Sequence, residues 1–178
     1  MSQTIRFIRQ LENLKEGERS RLRRLAGQPL DHALAGFDLF TGLWWPLRQG
    51  SPVAPRRETS WLVAKLYGAF PVPNEQGETL PRVLGRCEPP DLHDRSRFRQ
   101  RFDVLLCLPL SALEAHLRWG LSEIDKAIAG RIPWLKGITG IDWAQLLDDL
   151  SIWDRGEAHR RERDVRDIWA EQYLQSAK

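Results

Sequence analysis

Apolar residues recur in this chain at helical spacing almost from end to end. Nowhere does a run alternate apolar and polar with the period of two that a half-buried strand requires. The Asn-Gly and Asp-Gly pairs that mark tight hairpins are also absent. The pattern therefore predicts an all-α fold. Ile5, Ile8, Leu11 and Leu14 return every third residue, and Phe7 widens their stripe. After Gly17 a second helical piece turns Leu22 and Leu25 inward and ends at Gly27 and Pro29. Leu34, Phe37 and Phe40 form a short helical face. Residues 41–57 hold three prolines and two glycines, and read as a loop with at most one helical turn.

Helix resumes near Thr59, with Leu62, Leu66 and Phe70 on one face and Val63 and Tyr67 beside them. Residues 71–78 are a turn-rich connection, and a short helix follows around Leu80, Val83 and Leu84. The Glu-Pro-Pro-Asp sequence at 88–91 breaks the chain. It sets the expected boundary between a first bundle, 1–90, and a second, 91–178.

In the second half Phe98, Phe102, Leu105 and Leu106 make a stripe that stops before Pro109. Ser111 and Glu114 have the spacing of a capping box, in which each side chain accepts from the other's backbone amide. The helix it would open carries Leu113, Leu117, Leu121, Ile124 and Ile128 to Gly130. Residues 131–140 read as loop. Asp142 can cap a helix bearing Trp143, Leu146, Leu147, Leu150 and Trp153. A last helix, after Gly156, buries Val165, Ile168, Trp169 and Tyr173. The expected architecture is two small helical bundles closed by short loops.

Cys87 and Cys107 are too far apart for a CxxC motif and are expected as reduced, buried thiols. The first residues lack the apolar stretch of a signal peptide, and no apolar run is long enough to span a bilayer, so a cytoplasmic protein without membrane contact is expected. The eight tryptophans read as core and interface anchors rather than a base-stacking platform, whose aromatics usually sit on strands.

The formal net charge is only +3, so what matters is where the cations gather. Residues 1–27 hold seven basic and three acidic side chains, a local net of +4. Arg19, Arg21, Arg23 and Arg24 fan over the outer side of the helix that buries Leu22 and Leu25. Arg95, Arg97, Arg99 and Arg101 form a second cluster. In it Arg95 and Arg99 are i,i+4 neighbours, as are Arg97 and Arg101. With Phe98 and Phe102 buried, at least Arg95 and Arg99 are expected to reach water. Arg56 and Arg57 add a basic pair in the proline-rich loop. A guanidinium can hold two phosphate oxygens at once and stack on bases, which points to a polyanion. The same clusters, paired with Glu16, Glu18, Asp91 and Asp94, would be plain solvated faces. Residues 154–167 carry five basic and five acidic side chains at pairing distance, and read as such a face.

Catalytic signals are thin. His32, His93, His116 and His159 are isolated, and no metal-binding His spacing occurs. Asp148 and Asp149 are adjacent and point about 100° apart on a helix. Asp142 and Asp149 could share a face and define a metal-dependent nuclease, the enzymatic alternative. No phosphate-binding loop or nucleophile elbow is present. A helical DNA-binding regulator would need a helix-turn-helix with a polar, exposed second helix; none can be placed. No cofactor and no metal are expected.

Five stretches resemble one family in order and spacing. They are Gly140–Trp153 (GIDWAQLLDDLSIW) with the later Trp169, Arg101–Trp119 (RFDVLLCLPLSALEAHLRW), Trp61–Pro71 (WLVAKLYGAFP), Phe7–Leu14 (FIRQLENL) and the Arg-rich segment around Arg19–Arg24. Together they resemble the CasB family, the small subunit of the type I-E CRISPR surveillance complex Cascade. The resemblance implies two helical bundles in an elongated monomer and no enzymatic activity. It implies assembly with the other Cascade subunits, a second copy packed head-to-tail, and contact with the R-loop that crRNA forms with target DNA, including the displaced strand. The family's basic residues fall by position on Arg21, Arg23, Arg24, Arg95, Arg99 and Arg101.

Overall fold

The computed structural model describes residues 2–30, 34–50, 55–158 and 163–177. Among them are nine α-helices, two 3-10 turns and no strand, so the fold is all-α. Internal contacts divide the chain into two units, residues 1–71 and 72–178. The division falls at the turn-rich connection and not at the Glu-Pro-Pro-Asp sequence. Residues 72–90 pack with the second unit because the helix they contain lies against the last one.

The first unit holds α1 (Gln3–Glu12), α2 (Glu16–Arg24), α3 (Leu34–Gly50) and α4 (Arg57–Ala69). Ser2 caps α1 by accepting from the Ile5 amide at 3.2 Å. The buried face of α1 is Thr4, Phe7, Ile8 and Leu11, the true i, i+3, i+4, i+7 set. Ile5 is displaced to the surface by that choice of face. Glu18 accepts from the Lys15 amide at 2.8 Å and fixes the start of α2. Gly27, at φ 76°, turns the chain after α2 in the left-handed conformation that favours glycine.

The expected loop at 41–57 is largely helix, since α3 runs to Gly50 straight through Pro46. An interior proline gives up one backbone hydrogen bond. Here burial outweighs that loss: Phe40 and Leu47, seven residues apart, both point into the core. Phe40 lies edge-on to Phe7 at 6.5 Å and to Trp61 at 5.4 Å, and stacks on Trp44 at 6.4 Å. Helix α4 is buried from Thr59 to Gly68 and forms the middle of the unit. A Cβ at Gly68 would stand 2.7 Å from Cβ of Leu22, so this glycine sets how closely α2 approaches α4. Lys65, the one buried cation among the described residues, donates to the Gln28 carbonyl at 2.9 Å, as does Trp61 Nε1.

The second unit holds α5 (Leu80–Arg86), α6 (Leu92–Cys107), α7 (Glu114–Ile128), α8 (Trp143–Ser151) and α9 (Val165–Ser176). Helices α5 and α9 touch backbone to backbone at Gly85, where a Cβ would lie 2.4 Å from the Tyr173 carbonyl oxygen. Asp142 caps α8 as its position predicts, accepting from the Gln145 amide at 2.9 Å. Its second oxygen accepts from the Gly77 amide at 2.8 Å and ties the 72–78 segment to the head of α8. A parallel bridge, Asn74 to Ile141, reinforces that tie.

Three large indoles of this core each place their N–H on an oxygen. Trp143 donates to the Val72 carbonyl at 2.8 Å, Trp153 to the Leu108 carbonyl at 2.9 Å and Trp169 to Asp149 at 2.7 Å. The anchor reading of the tryptophans holds for these, while Trp45 and Trp134 are about half exposed. The Ser111–Glu114 capping box does not form. Ser111 lies within a 3-10 turn, Leu110–Ala112, whose Leu110 amide donates to Asp154, and α7 begins only at Glu114. Leu106, Ile128 and Ile168 are half-buried rather than core. Cys87 is buried, and burial pushes its thiol up to about 12, but Cys107 is exposed, against expectation. Expectations for His32, His159, Arg160, Arg161 and Glu162 lie outside the described residues, as do the side chains of Leu34 and Phe37.

Candidate nucleic-acid interface

Whether an arginine can take a phosphate depends on what its fork already holds. On α2 the four arginines divide into two kinds. Arg19 lies 3.4 Å from Glu16, and Arg21 donates to Asp38 of α3 at 2.9 Å. Asp38 is held below the ordinary carboxylate range, first by the Leu39 backbone amide and then by the Arg21 guanidinium. Arg23 and Arg24 are exposed and meet no carboxylate among the described residues. Both reach only weakly, at 3.5 and 3.4 Å, to the Ser20 hydroxyl.

The second cluster divides by helix face. Arg97 and Arg101, one turn apart on α6, are exposed and meet no carboxylate among the described residues. Arg95 and Arg99 point to the opposite duty. Arg99 donates to both oxygens of Glu88 at 2.5 and 3.0 Å, and that carboxylate holds the guanidinium still more firmly protonated. Arg95 donates to the carbonyls of Pro89 and Pro90 at 3.1 and 3.0 Å, with Glu88 at 4.0 Å. The side chain of Glu88 is 4% exposed and also accepts from the Tyr173 hydroxyl at 2.7 Å. Desolvation, then the Glu88 hydrogen bond, raises the Tyr173 hydroxyl well above its usual range, so it stays a donor. Arg99 reaches water as expected, at 45% exposed, and Arg95 less so, at 28%, but both forks are already engaged. They are structural forks, drawn to a buried carboxylate that no local sequence signal singles out.

Arg56 is exposed at the head of α4, and Arg57 lies 3.8 Å from Glu58 while bordering an apolar hollow with Leu30, Phe40, Trp44 and Trp45. The structure thus sets Arg23 and Arg24 together on one unit, and Arg97 and Arg101 together on the other.

Sequence reasoning missed what surrounds Arg97 and Arg101. A cleft of about 490 Å³ runs between α6 and α7, lined by Arg97, Arg101 and Val104 on one side and His116, Trp119 and Glu123 on the other. The Arg101 guanidinium lies over the Trp119 ring, 5.7 Å from its centroid, and Phe98 packs edge-on against that ring at 4.9 Å. The available signal was the proline at 109, which folds α7 back along α6 and brings Trp119 to the face that carries Arg101.

The carboxylates weighed for metal chemistry have other partners. Both oxygens of Asp142 are engaged at the head of α8. Asp149 accepts from Trp169 Nε1 and from Gln145 Nε2, each at 2.7 Å, and burial raises its carboxyl above the ordinary range. Among the described residues no three His, Cys, Asp or Glu side chains gather where they could hold a metal ion. Also among them, no helix is long and apolar enough to cross a membrane.

The sequence pattern of the family described as CRISPR-associated protein Cse2 matches residues 18–174. No curated protein matches by sequence. Among solved structures, a CRISPR-associated protein of the Cse2 family from Thermus thermophilus is similar over 98% of this chain and 99% of its own, with 26% identity and a TM-score of 0.69. A structure of CasB from the same organism gives the same figures. CasB from M. ruber, at 21% identity, shares the fold with a TM-score of 0.71, over 99% of this chain and 94% of its own.

Proposed function

The chain belongs to the Cse2 family of CRISPR-associated proteins, also called CasB, which makes it a Cascade subunit, and from that premise we propose that it steadies the R-loop by gripping nucleic-acid backbone. The observation that carries the reading is the set of four guanidinium groups, at Arg23, Arg24, Arg97 and Arg101, that face outward without a carboxylate among the described residues. Guide pairing supplies sequence specificity in such complexes, so a subunit of this kind needs only phosphate contacts. R-loop formation is nearly balanced energetically, and a few such contacts are enough to tip it. Arg56 and Arg57 are secondary members of the set. Arg19, Arg21, Arg95 and Arg99 are assigned to holding the fold.

The subunit works without chemistry of its own. Asp142 and Asp149, which would have served a nuclease, are occupied as a helix cap and an indole acceptor. Its partners in this reading are crRNA, target DNA with its displaced strand, the other Cascade subunits, and a second copy of the chain packed head-to-tail.

Co-expression with the remaining Cascade subunits tests the proposal. The chain is expected to co-purify at fixed stoichiometry, and omitting it is expected to weaken target-duplex binding. A complex that assembles without it and binds target equally well would overturn the reading.

A further inference from the structure

We propose that the cleft between α6 and α7 receives one unpaired nucleotide, its phosphate on Arg97 and Arg101 and its base against Val104 and the Trp119 indole. This rests on the backbone-gripping role above and adds to it a preference for strands whose bases are free.

The cleft combines features that a phosphate-only surface does not need. It is an open groove of about 490 Å³, a volume within the usual range for small-ligand sites, and it sets an aliphatic side chain and an indole beside its arginines. Both cations sit on the same side of α6, spaced one turn apart. Opposite them, Trp119 is braced by Phe98 at 4.9 Å and topped by Arg101 at 5.7 Å, so aromatic and guanidinium surfaces adjoin. Such surfaces take nucleobases by stacking, and they do so with little regard for sequence because every base has a π-face. Val104, 42% exposed, leaves part of an aliphatic wall open to solvent.

The charge agrees. Of the two carboxylates at the cleft, Glu123 is already paired with Lys126 at 2.8 Å, which leaves Asp94 against two arginines. That excess suits a single phosphate. A base inside a duplex cannot lie against this wall without being unstacked, so the ligand is a nucleotide of a single strand.

The test compares two strands of equal length and charge, an oligo(dT) and an all-abasic strand, binding to the full-length purified chain at low salt. Oligo(dT) is expected to bind roughly tenfold more tightly, the scale of one base stacked on an aromatic group. Trp119→Leu should bring the ratio of the two affinities near one. Val104→Glu, at an exposed position that does not threaten folding, should lower the ratio too, and taking the ratio cancels its effect on charge. Arg23→Ala with Arg24→Ala should weaken both strands alike and leave the ratio unchanged.

Equal, salt-sensitive binding of both strands by the wild type would overturn the cleft while leaving the backbone reading intact. No binding of either strand at low salt would overturn both. A Trp119→Leu chain that keeps its preference for oligo(dT) but no longer enters the complex would show that the cleft docks protein instead, and would also overturn the proposal.

Discussion

Trp143→Ala should cost the second unit about 4 kcal/mol, close to the largest loss a single core truncation produces. The indole is fully buried at the head of α8. Removing it opens a cavity that the surrounding helices can close only in part. It also takes the donor from the Val72 carbonyl, which the indole meets at 2.8 Å. The same residue is held from behind, since its backbone amide donates to Asn74 at 3.1 Å. The 72–78 segment and α8 therefore loosen together. Typical domains have only about 5–15 kcal/mol in total, so the variant should unfold at a much lower denaturant concentration. A loss below about 1 kcal/mol would mean that this junction contributes little to the unit.

Glu88→Ala is the second large effect, at about 3 kcal/mol, because it removes the buried partner of several donors. The Tyr173 hydroxyl loses its acceptor, and the Arg99 fork loses both of its own. Arg99 is 45% exposed and can turn to water, which limits its share of the cost. The tyrosine ring cannot follow, because it is stacked on Phe102 at 4.1 Å. Glu88→Gln keeps an acceptor for the hydroxyl and should lose about half as much. Chemical unfolding of the two variants beside the wild type checks the order. Equal loss in both would make charge, and not the hydrogen bonds, the main contribution.

Those two residues show where the sequence could and could not be read. Helix α8 was legible from its Asp142 cap to Leu150, because an Asp cap and an amphipathic run are local signals, but Trp153, expected on the same helix, falls in the 3-10 turn that follows Ser151. Helix α3 was not legible. Pro46 and two glycines argue locally for a loop, and only the shared burial of Phe40 and Leu47 outweighs them. The Ser111 box has the right spacing but lies in a 3-10 turn held by Asp154, which is 44 residues from the Leu110 amide it accepts from. Glu88 sat inside a sequence that read as punctuation. Its importance comes from Arg99 and Tyr173, brought to it from two other helices.

The candidate interface followed the same rule. Charge clusters are visible in the sequence, but whether a fork is free depends on carboxylates elsewhere in the chain. Asp38 takes Arg21 and Glu88 takes Arg99, which helps to halve each cluster. What remains, Arg23 with Arg24 and Arg97 with Arg101, is the part that helix periodicity alone could have separated on α6 and could not have separated on α2.

The measurement that bears most directly on this account is the salt dependence of target-DNA affinity in the assembled complex. One complex carries the wild-type chain, and another carries alanine at Arg23, Arg24, Arg97 and Arg101. Each lost phosphate contact should reduce the slope of log affinity against log salt by about 0.7–0.9, so the plot for the variant complex should be shallower by roughly 3 for each copy of the chain in it. Parallel plots from two complexes of equal composition would contradict the assignment of these four forks to the nucleic-acid backbone.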